Sequence, residues 1–227
     1  MTALLRLLQL TDSAFPSGGY AYSHGLEGLF TAGFLAREPD VLDFARAHIE
    51  ETLAQQDLPA VHLAHTAARQ DDLSALVALD RLLTALRPVP AFRLASTRIG
   101  RQTLESSVTL YPAPFVLRYR EAVQAGTSPG HHAVAFGGVT AAAAIPVDQA
   151  VAGFGANALS GFVAAAVRLG VIGQASAQRI IAQLHPDLAR AVADASTLGP
   201  DELGGYTPLI DIAGMRQPTL ATRLFTS

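Results

Sequence analysis

The stretch HHAVAFGGVTAAAAI, residues 131–145, and the stretch VDQAVAGFGANALSGFVAAAVRL, residues 147–169, decide the fold of this chain. Both are apolar and rich in alanine and glycine, and Pro146 separates them. Side chains this small let the backbones of neighbouring helices approach closely. The two stretches therefore predict two consecutive helices at the tightly packed centre of an all-helical protein.

The second stretch is also long enough to be compared with a membrane span. Residues 149–167 carry no charge, and about 20 apolar residues are needed to cross a bilayer. The same residues include three polar side chains and three glycines: Gln149, Asn157, Ser160, Gly153, Gly155 and Gly161. We interpret the segment as a buried central helix and expect no membrane association. A membrane span is the alternative.

Helical periodicity continues on both sides of this centre, and hairpin signals are nearly absent. Apolar residues recur at steps of four from Val41 to Leu53, and we assign Asp40 as the N-cap of that helix. Further helices are expected from Pro59, from Asp71-Asp72 to Arg87, over 92–108, over 114–125 and from Ser176. The pattern predicts an all-α, single-domain bundle of about eight to ten helices.

The C-terminal residues have a different character. An extended tail is favoured because helix breakers are frequent there. They are Gly199-Pro200, Gly204-Gly205, Pro208, Gly214 and Pro218. Several side chains are nevertheless too apolar for a solvated tail and should be buried against the domain or a partner: Leu209, Ile210, Ile212, Met215, Leu224 and Phe225. We divide the chain into a helical domain, residues 1–196, and a tail, residues 197–227.

Composition narrows the possible functions. Hydrophobic residues make up 50% and charged residues 15% of the 227, so the chain should fold compactly. With 16 basic and 19 acidic side chains and no basic block, nucleic acid is not an expected partner. The absence of cysteine excludes disulfides and sulfur-based zinc sites. It also fits a reducing compartment, so we expect the protein to be cytoplasmic. Residues 1–10 show no secretory signal pattern.

The sequence contains no recognisable catalytic set. It lacks the G-x-S-x-G elbow, the G-x-x-x-x-G-K-[ST] phosphate loop, the H-E-x-x-H metal pair and the G-x-G-x-x-G dinucleotide turn. An enzyme needs an activated nucleophile, groups of tuned proton affinity or an open metal site. We therefore expect neither catalysis nor a bound nucleotide or other cofactor.

Histidines are the best metal candidates, but none forms a complete ligand set. His62 and His65 share a helix face at i, i+3, and the His131-His132 pair should form hydrogen bonds at the start of the apolar helix. His24 and Glu27 are also at i, i+3, suited to a hydrogen-bonded pair or a two-point metal contact, and we favour the structural role. The alternative is a helical metal-binding protein or metallohydrolase that uses His24, His62 and His65.

The string LLQLTDSAFPSGGYAYSHGLE, residues 7–27, resembles the signature of UreF, the urease accessory protein family. Three more stretches are similar to the family in the same order. They are ASTR at 95–98 with Gly100-Arg101, AAAVRLG at 164–170 with Gly173-Gln174, and RLFTS at 223–227. The resemblance thus extends over essentially the whole chain.

This resemblance implies an all-helical homodimer that joins the accessory proteins UreD, called UreH in some systems, and UreG, the GTPase that delivers nickel to apo-urease. UreF itself would be a non-catalytic scaffold, with its tail as a partner-contacting segment that becomes ordered on complex formation. The partner-binding residues expected from the signature and the tail are Tyr20, His24, Glu27, Met215, Arg223, Leu224 and Phe225. No metal ligand is assigned.

One departure from the family pattern lies in the tail. UreF proteins commonly carry a His-Glu pair after the methionine, whereas here Met215-Arg216 is followed by Gln217-Pro218. A metal role for a tail histidine therefore does not transfer to this chain. The Arg223-Leu224-Phe225 end is retained, and an arginine donor beside a phenylalanine anchor suits a protein interface.

Overall fold

A computed structural model describes residues 1–220 and 222–226 and contains no strand within them. The all-α class is confirmed. The α-helices are α1 (Thr2–Thr11), α2 (Leu26–Thr31), α3 (Glu38–Ala47), α4 (Leu58–Arg69), α5 (Leu73–Leu86), α6 (Pro90–Val108), α7 (Pro114–Gln124), α8 (His132–Ala142), α9 (Val147–Arg168), α10 (Gln174–Asp194) and α11 (Pro208–Arg216). A π-helix, His48–Asp57, joins α3 to α4, and 3₁₀ turns occupy Gly19–Ala21, Pro200–Glu202 and Gln217–Thr219.

The two alanine- and glycine-rich stretches form α8 and α9, and α8 is the centre of the bundle. Nine of its eleven residues are buried, so it is enclosed on all sides. It packs most extensively against α4 and then against α6. A Cβ atom at Gly137 would stand 2.6 Å from the carbonyl oxygen of Val61 in α4, which shows how closely the two backbones approach. The prediction of a small-residue centre is confirmed.

Helix α9 is the only helix of the described residues that is long and apolar enough to cross a membrane. Half of its most apolar window is buried inside the protein, where it contacts α10, α4, α8 and α1. Core helices of soluble proteins pass the same length and hydropathy test. The remaining, outward face of α9 carries small uncharged residues, which are considered below.

Pro59 lies in the first turn of α4, as predicted, but no break separates this helix from the preceding one. Instead, α3, the π-helix and α4 form one uninterrupted helix, which leaves ten separate α-helical rods in the described chain. Proline has no N–H group to donate to the carbonyl of the residue four positions earlier, here Gln55. The N–H of Gly204 in the C-terminal segment donates to that carbonyl instead, at 3.0 Å.

Helix starts differ in detail from the predicted caps. Asp40 lies inside the first turn of α3, where its carboxylate accepts the N–H groups of Ala36 (3.1 Å) and Arg37 (2.8 Å), so the helix begins at Glu38. Asp72 caps α5 as predicted, accepting the N–H of Ala75 at 2.9 Å. Helix α10 begins at Gln174, two positions before Ser176, the predicted cap.

A buried carboxylate fixes the loop that leads into α8. Asp80 accepts the backbone N–H groups of Gly130 (2.7 Å) and His131 (2.8 Å) and the hydroxyls of Ser128 (2.5 Å) and Tyr119 (3.0 Å). Burial raises the pKa of Asp80, and these four donors counteract the rise. His131, the N-cap of α8, has its two ring nitrogens within hydrogen-bond distance of side-chain hydroxyls, so its predicted hydrogen-bonding role at the helix start is confirmed.

The C-terminal segment, expected to be extended, contains the nine-residue helix α11, which packs on α2 and α6. Contact with α2 is close, because a Cβ atom at Gly28 would stand 2.6 Å from the carbonyl oxygen of Ala213. Ile210 and Phe225 are buried, as the sequence predicted, and Leu203 is buried as well. Leu209, Ile212, Met215 and Leu224 remain exposed.

We predict that Gly137→Ala destabilises the protein by about 1–3 kcal/mol, because the added methyl group forces α8 away from α4. Gly138→Ala is the matched control, since its Cβ would meet only Leu76 at an ordinary 3.7 Å and alanine favours the helix. Urea denaturation of both variants measures the difference. Equal stability of the two would contradict the close contact described here.

Candidate functional site

The signature segment folds as a series of tight turns that ends at α2. Gly18 and Gly25 have φ angles of 76° and 88°, in the left-handed region that favours glycine. His24 lies in the same region, with φ of 53°, although a side chain there costs about 1–2 kcal/mol. This turn separates the two side chains expected to pair: Glu27 faces the C-terminal segment, whereas His24 lines a cavity. The two side chains therefore do not form the hydrogen-bonded pair or the two-point metal contact that their spacing allows.

Glu27 holds the C-terminal segment on the signature. The residue is 4% exposed, and its carboxylate accepts two hydrogen bonds, from the side-chain amide of Gln217 at 2.6 Å and from the backbone N–H of Leu224 at 2.5 Å. The backbone N–H of Thr226 donates to the carbonyl of Ala21 at 2.8 Å. Hydrogen bonds to a buried carboxylate are among the stronger ones in proteins. The described end of the chain is thus fastened at three points.

Arg168, at the end of α9, adds an aromatic clamp. Its guanidinium lies over the ring of Tyr20, 3.7 Å from the centroid, and over the ring of Phe225, 4.1 Å from the centroid. It also donates a hydrogen bond to the carbonyl of Tyr20. Cation–π contacts of this kind link the signature, α9 and the tail through one side chain.

The structure brings Tyr20, Glu27 and Phe225 together as one site. The other tail residues that the sequence predicted to bind partners are exposed at the edge of this site: Met215, Arg223 and Leu224. Sequence reasoning missed the two residues that join these groups. Gln217 had been noted only as a departure from the family pattern, yet its amide supplies the donor that Glu27 accepts. Arg168 lay within the AAAVRLG stretch and was not assigned a role.

His24 lines a cavity of about 870 Å³ between α1, α9, the π-helix and the C-terminal segment. Its ring centroid is 6.1 Å from that of His48, which stacks on Phe162, and His132 also lines the cavity. Burial, together with neighbouring positive charge, lowers the pKa of His24 to about 4 and those of His48 and His132 to about 3. All three imidazoles are therefore neutral at pH 7.

An ion pair between Arg87 and Asp57 lies in the wall of the same cavity. Both side chains are largely buried. Burial raises the pKa of Asp57, and the Arg87 guanidinium counteracts the rise. The positive charge of Arg87 also contributes to the lowered pKa of each of the three histidines, so these groups form one electrostatic cluster.

His62 and His65 lie elsewhere and do not join His24. His65 is buried and its Nε2 lies 2.9 Å from the carbonyl oxygen of Ile145, to which it donates, while His62 is half-buried. Within residues 1–220 and 222–226, no group of three or more histidine, cysteine, aspartate or glutamate side chains is arranged to hold a metal ion. The three histidines of the metallohydrolase alternative are thus not brought together, and no observation favours that function.

We predict that Glu27→Ala releases the end of the chain while the bundle stays folded. Loss of an acceptor for two charge-assisted hydrogen bonds, each worth about 1.5–3 kcal/mol, should make cleavage by trypsin after Arg216 and Arg223 at least about tenfold faster. Glu38→Ala, which removes an exposed ion pair with Arg179, is the control and should leave cleavage unchanged. Unaltered cleavage in the Glu27 variant would mean that Glu27 does not hold this segment.

Comparison with known proteins identifies the family of this chain. The family model UreF matches residues 35–185. Among curated proteins, the urease accessory protein UreF of Bacillus sp. (strain TB-90) is 33% identical over 100% of both chains. That of Pseudomonas putida strain F1 is 34% identical over 99% of this chain and 98% of its own length, and that of Trichodesmium erythraeum is 30% identical over 98% and 96%. The chain therefore belongs to the UreF family of urease accessory proteins.

Proposed function

We propose that this protein acts in the maturation of urease by nickel incorporation, as a cytoplasmic scaffold and chaperone that bridges UreD/UreH and the GTPase UreG. In this role it couples GTP hydrolysis by UreG to nickel delivery into apo-urease. It carries out no chemistry itself. The relatives named above are accessory proteins, which supports a non-catalytic role.

The observation that carries this proposal is the apolar surface around the fastened tail. Glu27 and Arg168 hold the segment so that several large apolar side chains point to solvent: Tyr20, Leu209, Ile212, Met215 and Leu224. Leu224 is 74% and Tyr20 69% exposed, although Phe225 and Tyr22 close to them in sequence are buried. Exposed apolar groups concentrated on a rigid base are typical of protein interfaces. We call these five residues the tail surface and assign it to UreD/UreH.

A second apolar surface suits homodimerisation. On α1, the side chains of Leu4, Leu5 and Leu8 are 45%, 60% and 56% exposed. Helix α1 packs beside α9, with Leu7 lying over Gly153. Next to these leucines, α9 carries small uncharged residues that are exposed or half-buried, and all but the first of them also line the cavity of His24: Ala152, Ala156, Ser160, Gly161 and Ala164. In a two-fold interface, the leucines of α1 in one copy can pack against the small residues of α9 in the other copy, and the reverse contact forms at the same time.

The tail surface is tested by Leu224→Asp. Because Leu224 is exposed, the variant should fold normally, yet an unpaired charge at a buried interface should weaken capture of UreD at least about tenfold and reduce nickel-dependent activation of apo-urease. Leu110→Asp, an exposed leucine after α6, is the matched control. Wild-type capture by the Leu224 variant, measured by pull-down with purified UreD, would refute the assignment. Point variants are preferable to truncation from Pro208, which would remove buried Ile210 and Phe225 and expose the residues that they cover.

The proposed dimer surface predicts that Leu5→Asp with Leu8→Asp converts the protein to a monomer of 23.7 kDa, whereas the wild type has twice that mass. Leu94→Asp, an exposed leucine of α6, should leave the dimer intact. Light scattering after size-exclusion chromatography gives the masses. A dimeric double variant would exclude α1 as part of the interface.

A further inference from the structure

Positive charge is concentrated in one part of a chain that is acidic as a whole. Residues 81–130 carry seven arginines and two acidic side chains, whereas the whole chain has 16 basic and 19 acidic side chains. Two of the seven arginines form ion pairs, one with Asp57 and one with Asp71. Within residues 1–220 and 222–226, the other five form none. Three of these five are exposed: Arg81, Arg98 and Arg101.

Two of the exposed arginines are held by the loop that leads into α8. Nε of Arg81, in α5, donates to the carbonyl of Thr127 at 2.9 Å, and Nε of Arg101, in α6, donates to the carbonyl of Pro129 at 3.0 Å. The accepting residues are two positions apart in the chain, so they lie within about 7 Å of each other. Neither guanidinium uses its Nη groups for a hydrogen bond to the described part of the chain. Both arginines therefore present fixed, unused donors at the surface.

The third exposed arginine belongs to a stripe on α6. Leu94, Arg98 and Arg101 are spaced at i, i+4 and i+7, so they share one face of the helix. Leu94 is 48% exposed. Arg98 forms neither a hydrogen bond nor an ion pair with any described residue. The acid that follows Arg101 most closely in sequence, Glu105, accepts the side-chain amide of Gln124 at 2.9 Å and pairs with none of the exposed arginines.

We define the basic surface by Arg81, Leu94, Arg98 and Arg101. Arginine delivers paired N–H donors to carboxylates, and an exposed apolar side chain beside arginines is typical of a protein interface. Like charges that lie close together favour a partner of opposite charge, and guanidiniums already held by the loop lose little freedom on binding. Free phosphate would leave Leu94 exposed, and three arginines are few for a nucleic acid duplex. The basic surface therefore fits an acidic face of another protein.

We propose that the basic surface binds UreG through an acidic face of that protein. Carboxylates of the partner accept hydrogen bonds from the Nη groups of Arg81 and Arg101 and pair with Arg98, and an apolar side chain covers Leu94. The inference rests on the proposed function, because a scaffold that bridges two proteins needs a second contact surface. The tail surface is assigned to UreD/UreH and α1 to a second copy, which leaves the basic surface for UreG.

The test uses the full-length protein bound to immobilised UreD and measures the retention of purified UreG. Arg98→Glu should leave binding to UreD unchanged and weaken retention of UreG at least about tenfold, because it removes a pairing cation and adds a like charge. Arg69→Glu is the matched control. Arg69 is also exposed and also forms no ion pair or hydrogen bond with the described residues.

Leu94→Asp should weaken retention of UreG as well, while the protein stays dimeric. Retention by the wild type should fall as sodium chloride is raised from about 0.05 to about 0.5 M, because salt screens exposed charges. Circular dichroism establishes that each variant is folded.

The inference is overturned if Arg98→Glu and Arg69→Glu retain UreG equally, or if salt has no effect on retention. It is equally overturned if Arg98 contributes only to capture of apo-urease or of a DNA duplex. A wild type that retains no UreG at all would contradict the proposed function and this inference together, so the two failures are distinguishable.

Discussion

Close approach of helix backbones at α8 is the constraint on which the rest of this structure depends. A side chain at position 137 would force the helices apart, because a Cβ atom there would stand only 2.6 Å from the carbonyl oxygen of Val61. A central helix built from alanine and glycine lets α4, α6 and α9 surround it at short range. The polar features of the molecule, the cavity and the fastened tail, are arranged around this dry centre.

The second organising contact is electrostatic and joins the two ends of the chain. Glu27, early in the sequence, accepts donors from Gln217 and Leu224, and Arg168 lies between rings from both ends. A buried carboxylate left without its donors would be strongly destabilising, so the signature and the tail stabilise each other. This mutual dependence explains why a tail full of helix breakers packs on the domain and exposes only selected apolar side chains.

Much of the fold follows from local pattern, whereas the site does not. Spacing of apolar residues and small-residue content predicted α5 to α9 closely, because those signals lie within each helix. The pairing of His24 with Glu27 that their spacing allows does not form, because a left-handed turn at His24 separates the two groups and leaves no signal in the spacing. Gln217 and Arg168 were missed because their partners are distant in sequence. The donor that Gly204 supplies to the helix beside Pro59 is likewise distant in sequence.

That last contact has a consequence for how the chain can vary. The bond between Gly204 and Gln55 uses main-chain atoms only, and a Cβ at Gly205 would meet the carbonyl oxygen of Glu51 at 2.5 Å. These main-chain contacts fix the path of the C-terminal segment whatever its outward side chains are. The outward side chains can therefore be substituted during evolution, which changes the chemistry of the recognition surface without changing its backbone geometry.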